Sequence, residues 1–187
     1  MRVFWAIMEG RTDANWSLNG LPNAGRMDEA ARIVNTAFWL SHDIRRDVVL
    51  YITFTGPSDP PKTVKFIGEE LRKTSPDERS VAAIIRKALG ENVGKEWKRV
   101  HYGVYVSKKG VEDVLEEVSA PVVVLDENGG KGEIKEDVVY VVGGPYGIPE
   151  AEKEKLEKFP KLRIGSRIYT ASQTVCAINL ILDGVCR

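Results

Sequence analysis

The 187-residue sequence has few of the side chains that build metal centres or disulfide frameworks. Its two cysteines are Cys176 and Cys186, and its two histidines, His42 and His101, lie far apart. No Cys/His spacing resembles a zinc site, so no metal is expected. Two cysteines give no disulfide framework, and a reducing, cytoplasmic location is the expectation.

Long apolar runs and three common catalytic or nucleotide-binding motifs are also missing. No run approaches the roughly 20 residues of a membrane-spanning helix, and the N-terminus lacks a signal-peptide pattern, so no membrane contact is expected. The absence of Gly-x-Gly-x-x-Gly, Gly-Lys-Ser/Thr and Gly-x-Ser-x-Gly motifs argues against a dehydrogenase, a nucleotide-phosphate site and a serine hydrolase. With 43% hydrophobic and 29% charged residues, residues 1–187 suit a single globular domain.

The net charge of zero hides an asymmetry along the chain. Residues 1–110 contain 18 Lys and Arg against 13 Asp and Glu, whereas residues 111–187 contain 9 against 14. A basic first part fits an anionic partner such as RNA. Chance distribution of charges over solvated faces is the alternative.

The hydrophobic pattern predicts strands that alternate with helices, which is an α/β fold. Strands are expected over Val3–Met8, Val48–Thr55, Thr63–Ile67, Gly103–Ser107, Val122–Asp126, Val138–Val142 and Leu162–Ile164, the second and third as a hairpin-like pair. Helices are expected over Arg26–Leu40, Val111–Val118, Pro149–Phe159 and Thr170–Leu182, with a further helix after Ser75. Ser75 is the expected N-cap of that helix, with Glu78 as its capping-box partner. Gly90–Val100 is expected to be a polar connection.

The last helix, Thr170–Leu182, is apolar on nearly all sides. A helix of this kind must be buried on several faces. For a terminal helix in a small protein, this predicts either a partner subunit or unusually deep insertion.

Two glycine-bearing loops, Gly143–Gly147 and Gly165–Tyr169, each follow an apolar strand. Glycine allows backbone amides to approach a ligand closely, although a tight turn without a ligand would use it equally. Ligands of open α/β sheets bind at the carboxyl ends of neighbouring strands. If the two loops leave adjacent strands, the segment Val138–Cys176 forms a small-ligand pocket.

Three segments carry a resemblance that covers essentially the whole chain. They are AFWLSHDIRRDVVLY, VKFIGEELRKTSPDERSVAAIIRKAL and the C-terminal strand–glycine–helix block. With these segments the chain resembles the archaeal tRNA pseudouridine-54 N1-methyltransferases (the TrmY family), members of the knotted SPOUT methyltransferase superfamily. It is similar, more distantly, to the ribosomal pseudouridine N1-methyltransferases.

The resemblance implies a SPOUT-type parallel sheet flanked by helices, with a C-terminal deep trefoil knot. Residues 1–110 would be a basic RNA-facing part and residues 111–187 a knotted part that binds S-adenosylmethionine (SAM). It also implies a homodimer that methylates N1 of pseudouridine 54 and binds the T-arm of tRNA. The implied cofactor-binding residues are Leu125, Gly143, Gly147, Gly165, Ser166, Arg167, Ile168, Tyr169, Thr170, Ala171 and Cys176.

Methyl transfer to pseudouridine requires loss of the N1 proton. Asp77 and Asp47 are the candidates for the general base that removes this proton. Arg79 and Arg45 are the candidates for stabilising the resulting nucleobase anion. Two alternatives stay open. One is a SPOUT methyltransferase acting on uridine or pseudouridine of ribosomal RNA. The other is a non-catalytic RNA-binding module, because the first loop reads Gly-Gly-Pro-Tyr-Gly where relatives carry a Gly-Asp-His-Ile-Gly-like sequence.

Overall fold

The computed structural model describes residues 1–185, so Cys186 and Arg187 lie outside the described residues. Strands and helices alternate along most of this range. The strands are β1 Arg2–Met8, β2 Val48–Phe54, β3 Lys62–Ile67, β4 Lys98–His101, β5 Val104–Ser107, β6 Val122–Gly130, β7 Val139–Gly143 and β8 Lys161–Leu162. The helices are α1 Met27–Phe38, α2 Glu78–Leu89, α3 Val111–Glu117, α4 Glu150–Leu156 and α5 Ala171–Leu182. The predicted α/β fold is therefore confirmed.

All of these strands join one sheet in the order β4-β5-β3-β2-β1-β7-β6-β8. The five strands from β2 to β8 pair in parallel, whereas β3, β5 and β4 extend the sheet with antiparallel pairs. The expected hairpin-like pair is confirmed, because β2 and β3 are antiparallel neighbours. β1 lies near the centre of the sheet, and Phe4–Met8 are at most 1% exposed, as expected for a strand covered on both faces.

Helices cover both faces of the sheet and create two apolar clusters. On one face, α1 packs against α2 and α5, and their cluster includes Phe38, Ile85 and Ile178. On the other face, Trp5 packs with residues of α3 and α4, such as Val114 and Leu156. Of the residues that are described, no helix is long and apolar enough to cross a bilayer.

Four points of the sequence-based predictions need correction. Gly90–Val100 is not wholly a connection, because β4 begins at Lys98; only Val100 of this exposed edge strand is buried, so its apolar pattern was too short to detect. The bounds of several elements also differ: β6 continues to Gly130 rather than ending at Asp126, α4 ends at Leu156 rather than Phe159, and β8 ends at Leu162 rather than Ile164. Asp77, not Ser75, caps α2, and its carboxylate accepts the Ser80 N–H at 2.8 Å.

The fourth correction concerns the two glycine loops. They follow β7 and β8, but these strands are not adjacent, since β6 lies between them. The chain from β7 crosses β6 before it enters the sheet again at β8. Sheet order depends on this long-range pairing, which local sequence patterns do not encode.

Candidate functional site

A cleft of about 740 Å³ opens at the carboxyl ends of β6, β7 and β8. Its walls come from the ends of β6 and β8, from the loop after β7, from the segment before α5, and from α1. This is where a ligand is expected in an open α/β sheet, and the volume lies in the range of small-molecule sites. The predicted pocket therefore exists, but with β6 at its centre.

The loop after β7 is held tightly by its backbone. Gly144 N–H donates to Ile7 O of β1 at 3.1 Å, and Gly147 N–H donates to Gly144 O at 2.9 Å. A Cβ on Gly143 would come within 2.6 Å of the backbone nitrogen of Ile148, so this position requires glycine. Gly147 has a φ of +79°, and a Cβ there would meet no atom within 4 Å. The loop is thus closed against the sheet and open towards the cleft.

The second glycine loop, after β8, is held by an aromatic ring. Tyr169 lies over Gly165, where a Cβ would come within 2.7 Å of the Tyr169 hydroxyl. The ring is 43% exposed, and the neighbouring Ile168 is 79% exposed. Large apolar side chains at the rim of a cleft are suited to contact a planar ligand or a partner.

Helix α5 begins inside the cleft with a capping box. Thr170 Oγ1 accepts the Gln173 N–H at 3.2 Å, and Gln173 Oε1 accepts the Thr170 N–H at 3.0 Å. The Ser172 N–H donates to Glu29 Oε1 of α1 at 2.9 Å. Among residues 1–185 the Ala171 N–H has no such acceptor, and it stands at the positive end of the helix dipole.

The first turn of α1 carries a buried acidic pair, of which Glu29 lines the cleft. Asp28 is 4% exposed and Glu29 is 3% exposed. Arg26 donates twice to Asp28, at 3.0 and 2.9 Å, and this bidentate pair holds the pKa of Asp28 below its ordinary value. Arg32 reaches Asp28 at 3.1 Å, Glu29 at 3.6 Å and Glu78 of α2 at 2.8 Å. These ion pairs join α1 to α2 beside the cleft, and the hydrogen bond that Glu29 accepts joins α1 to α5.

Other charges of the cleft have no ion-pair partner within the part of the chain that the structure describes. The unpaired cations are Lys153, Arg163 and Arg167, and the unpaired carboxylates are Asp126, Glu127 and Glu150. Both signs are therefore available to a ligand that carries both charges. No group of three or more His, Cys, Asp or Glu that could hold a metal occurs in residues 1–185.

Most of the predicted cofactor-binding residues lie in the cleft wall. Leu125, Gly143, Gly147, Arg167, Ile168, Tyr169, Thr170 and Ala171 all line it. Gly165 and Ser166 belong to the same loop but are not part of the lining. Cys176 lies further along α5, away from the cleft, as a free, half-buried thiol.

Asp77 and Arg79 lie at the start of α2 and do not line the cleft. The contact of α2 with the cleft wall is the ion pair of Glu78 with Arg32. Hydrogen bonds from Ser80, first from its side chain and then from its backbone N–H, hold the pKa of Asp77 below its ordinary value. A lower pKa makes Asp77 a weaker base. Arg79 donates to Asn19 Oδ1 at 2.7 Å, on the loop that precedes α1.

Arg45 and Asp47 lie at the opposite end of the sheet. Asp47 precedes β2, which runs parallel to β7, so Asp47 lies at the amino end of the strands and the cleft at their carboxyl end. The seven residues of β2 span about 20 Å between these two ends. Arg45 makes two hydrogen bonds to Asp183 after α5, at 2.8 and 2.5 Å. Within one chain, the structure does not bring these two residues to the cleft.

The sequence reasoning missed the contribution of α1 to the cleft. Arg26, Glu29 and Arg32 line it, as does Tyr146, whose side chain is 76% exposed. The sequence carried no distinctive signal for Glu29, because Asp28 and Glu29 lie in the first turn of α1, where acidic residues are common in any helix. Its partner, the N-terminus of α5, lies 143 residues away and could not be found from spacing.

The fold and the cleft define an α/β protein with a polar ligand site at the strand ends. The profile of the family described as "Putative SAM-dependent RNA methyltransferase" matches residues 1–185, and the chain belongs to this family. The resemblance drawn from the sequence is thereby confirmed.

Three relatives are each described as a tRNA (pseudouridine(54)-N(1))-methyltransferase. The protein of Thermococcus kodakarensis is 39% identical, covering 93% of this chain and 94% of its own. That of Pyrococcus abyssi is 38% identical over 98% of both chains, and that of Methanococcus maripaludis 36% over 92% of both.

A solved structure shares the fold. Archaeoglobus fulgidus Nep1, bound to S-adenosylhomocysteine, superposes with a TM-score of 0.68 at 12% identity and covers 97% of this chain and 98% of its own.

Proposed function

We propose that this protein methylates N1 of pseudouridine 54 in the T-loop of tRNA, with SAM as methyl donor. The observation that carries the proposal is the cleft at the ends of β6, β7 and β8, placed in a chain whose relatives over nearly full length bear that activity in their names. The basic residues 1–110 would face the RNA. Residues 111–187 would supply most of the SAM site, with α1 completing it.

The side chains of the cleft fit SAM. Leu125, Ile148 and Ile164 offer apolar contacts for an adenine ring, and the loop Gly143–Gly147 allows backbone groups to approach. The Ala171 N–H at the start of α5 and Arg167 suit a carboxylate. Asp126 and Glu127 suit ribose hydroxyls or an ammonium group. When bound, SAM supplies an electrophilic methyl group on a cationic sulfur.

A residue of this chain must then accept the N1 proton, and others must hold the pyrimidine in line with the methyl group. Glu29 is a carboxylate of the cleft itself, buried, and oriented by the Ser172 N–H. We therefore add Glu29 to Asp77 as a candidate base. Arg32, which contacts both Glu29 and Glu78, joins Arg79 as a candidate for stabilising the nucleobase anion.

Asp47 and Arg45 would take part only if a second subunit brings its sheet end to the cleft. A homodimer is supported by the apolar side chains that α5 and its C-terminal end leave at the surface. Leu180 is 37% exposed and Val185 is 68% exposed. Sedimentation of the pure protein would test this, since a monomer at micromolar concentration would remove Asp47 and Arg45 from the active site.

We also propose that the C-terminal part forms a deep trefoil knot and that the protein works in the cytoplasm. The knot is supported by the chain path: β8 is an edge strand, yet the next element, α5, packs on α1 above the middle of the sheet. To travel between them, residues 163–170 pass the loops after β6 and β7. A crystal structure traced from end to end would reveal whether the chain threads through those loops.

The proposed reaction is tested with two T-arm hairpins, one with pseudouridine and one with uridine at the target position. We expect SAM-dependent methylation of the pseudouridine hairpin alone, identified as the N1-methyl nucleoside by mass spectrometry. Methylation of neither hairpin, with SAM bound, would point to another RNA such as ribosomal RNA. Failure to bind SAM would instead favour a non-catalytic RNA-binding module.

The base is identified by comparing Glu29→Gln with Asp77→Asn. Glutamine keeps an oxygen that accepts the Ser172 N–H, and asparagine keeps the cap of α2, so both variants should fold. Loss of a general base lowers turnover by about 10² to 10⁴-fold. SAM affinity measured by calorimetry should change far less. Full turnover of Asp77→Asn would remove Asp77, and full turnover of Glu29→Gln would remove Glu29.

A further inference from the structure

The cations of residues 1–110 divide into two sets. Twelve of the 18 lie within 4.0 Å of a carboxylate. The other six have no carboxylate partner among the described residues. They are Arg72, Lys73, Arg79, Arg86, Lys87 and Arg99. All of these lie in the turn before α2, on α2 or on β4, so these cations without a carboxylate partner are concentrated in one region. The same turn also carries Glu69, Glu70 and Asp77, which leaves the region an excess of three positive charges, six against three.

Part of this region forms a shallow depression beside the edge strand β4. Lys87, Arg99, Val100, His101 and Tyr102 line it. Tyr102 is 43% exposed, and two cations lie against its ring: Lys73 Nζ is 5.2 Å and Arg99 Cζ is 4.9 Å from the ring centroid. These are cation–π distances.

His101 fixes the turn that carries Lys73. Its Nε2 lies 3.0 Å from Arg72 O and 3.1 Å from Lys73 O, and its ring meets Tyr102 edge-on at 5.8 Å. Tyr102 and His101 thus hold two unpaired cations in place before any partner arrives. Preorganised cations lose less conformational freedom when they bind an anion.

We propose that this surface, formed by Lys73, Lys87, Arg99, His101 and Tyr102 and called the β4 surface, binds phosphate groups of the RNA substrate at a distance from the cleft. The inference rests on the proposed function only in taking the RNA to be the substrate. Cations that neutralise phosphates give binding that is independent of sequence and sensitive to salt. An alternative role, protection of an exposed sheet edge by charge, would require no RNA contact.

The β4 surface is far from the site of methyl transfer. Five strand spacings separate β4 from β7, and each spacing is about 4.8 Å, which gives about 24 Å across the sheet. An RNA in contact with both sites must extend at least that far from the modified base. The β4 surface would therefore recognise the body of a folded RNA, while the cleft recognises the target base.

The experiment measures binding of full-length tRNA, by fluorescence anisotropy at several salt concentrations, to the double variant Lys73→Gln/Arg99→Gln. We expect roughly tenfold weaker binding at low salt, and a plot of log K against log salt that is shallower by about 1.4 to 1.8, from about 0.7 to 0.9 per lost phosphate contact. Tyr102→Ala should weaken binding by a smaller factor, because both cations remain but lose their support.

The matched control is Lys131→Gln/Lys158→Gln, which removes two exposed cations from the acidic part. Lys158 also lies over an aromatic ring, 5.2 Å from the centroid of Phe159, and neither lysine has a carboxylate within 4.0 Å among the described residues. Thermal unfolding and SAM binding should match the wild type in both double variants. If the β4 variant and the control bind tRNA with equal affinity and equal salt slope, the inference is overturned. Because binding is measured without turnover, this result is independent of whether pseudouridine is methylated.

Discussion

The charged side chains at the two ends of the parallel sheet differ in whether they have partners within the protein. At the amino end, Arg2 is 8% exposed and donates to Asn179 and Asp183, while Arg45 makes a bidentate pair with the same Asp183. At the carboxyl end, Lys153, Arg163 and Arg167 have no carboxylate partner among the described residues. One end uses its charges to hold α5, and the other leaves charges available to a ligand.

Helix α5 connects the two ends, and each of its termini shows the difference. Asn179, near its C-terminal end, donates to Thr36 O and Ala37 O of α1 at 3.0 and 3.3 Å. Its N-terminus retains the Ala171 N–H for an incoming group. Buried polar groups are normally satisfied by the protein itself, so unsatisfied ones that face a cleft indicate a binding site.

Among the variants that compare the two ends of the sheet, Gly143→Ala is expected to have the largest effect, and it acts at the carboxyl end. The new Cβ would lie 2.6 Å from the Ile148 nitrogen, so the loop must shift. Overpacking of this kind costs about 1–3 kcal/mol, which corresponds to roughly 5- to 150-fold weaker SAM binding if the strain falls on the loop. Calorimetric titration with SAM measures it. Gly130→Ala, whose Cβ would lie 4.0 Å from Lys161 O, is the control and should bind normally.

Asp183→Asn should act on stability and spare the cleft. It breaks the pairs with Arg45 and Arg2, and because Asp183 is 27% exposed we expect a loss of about 1–3 kcal/mol, less than for a fully buried pair. Urea unfolding measures the loss. Asp137→Asn, at a carboxylate that is 78% exposed, should change little. A marked fall in SAM affinity of the folded Asp183→Asn protein would contradict the separation of the two ends.

The same pair predicts how stability changes with pH. Hydrogen bonds from Arg45, and secondarily from Arg2, hold the pKa of Asp183 below its ordinary value of 3.8. A lowered pKa in the folded state means that the stabilisation is complete above pH 3.8 and disappears as the pH falls towards the lowered pKa. The stability difference between the wild type and Asp183→Asn should therefore be constant near neutrality and shrink below pH 3.8. A difference that grows on acidification would reverse the sign and reject this origin.

Thr170→Ala should have the smallest effect. It removes the side-chain oxygen that accepts the Gln173 N–H at the start of α5. Loss of an N-cap costs about 0.5–2 kcal/mol. Thr170→Ser keeps the hydroxyl and should be close to the wild type in thermal unfolding. If the alanine variant is as stable as the serine variant, the capping box contributes nothing measurable.

Much of the fold followed from local patterns. β1, β2 and β7 are continuous apolar runs, and α1 has a clear helical stripe, so these elements were found within a few residues. β4 was missed because an edge strand with one buried residue has no usable pattern. The cap of α2 was misplaced because Ser75 and Asp77 are both good caps, and only backbone geometry decides between them.

The amino-acid sequence alone determined the class of fold, the two glycine loops and the family, because apolar periodicity and short motifs are local properties. Tertiary structure alone decided that β6 lies between β7 and β8, that Glu29 meets the start of α5, and that Arg45 is tied to Asp183. These contacts join residues up to 143 positions apart. They depend on strand order and helix packing, and no short stretch of sequence contains that information.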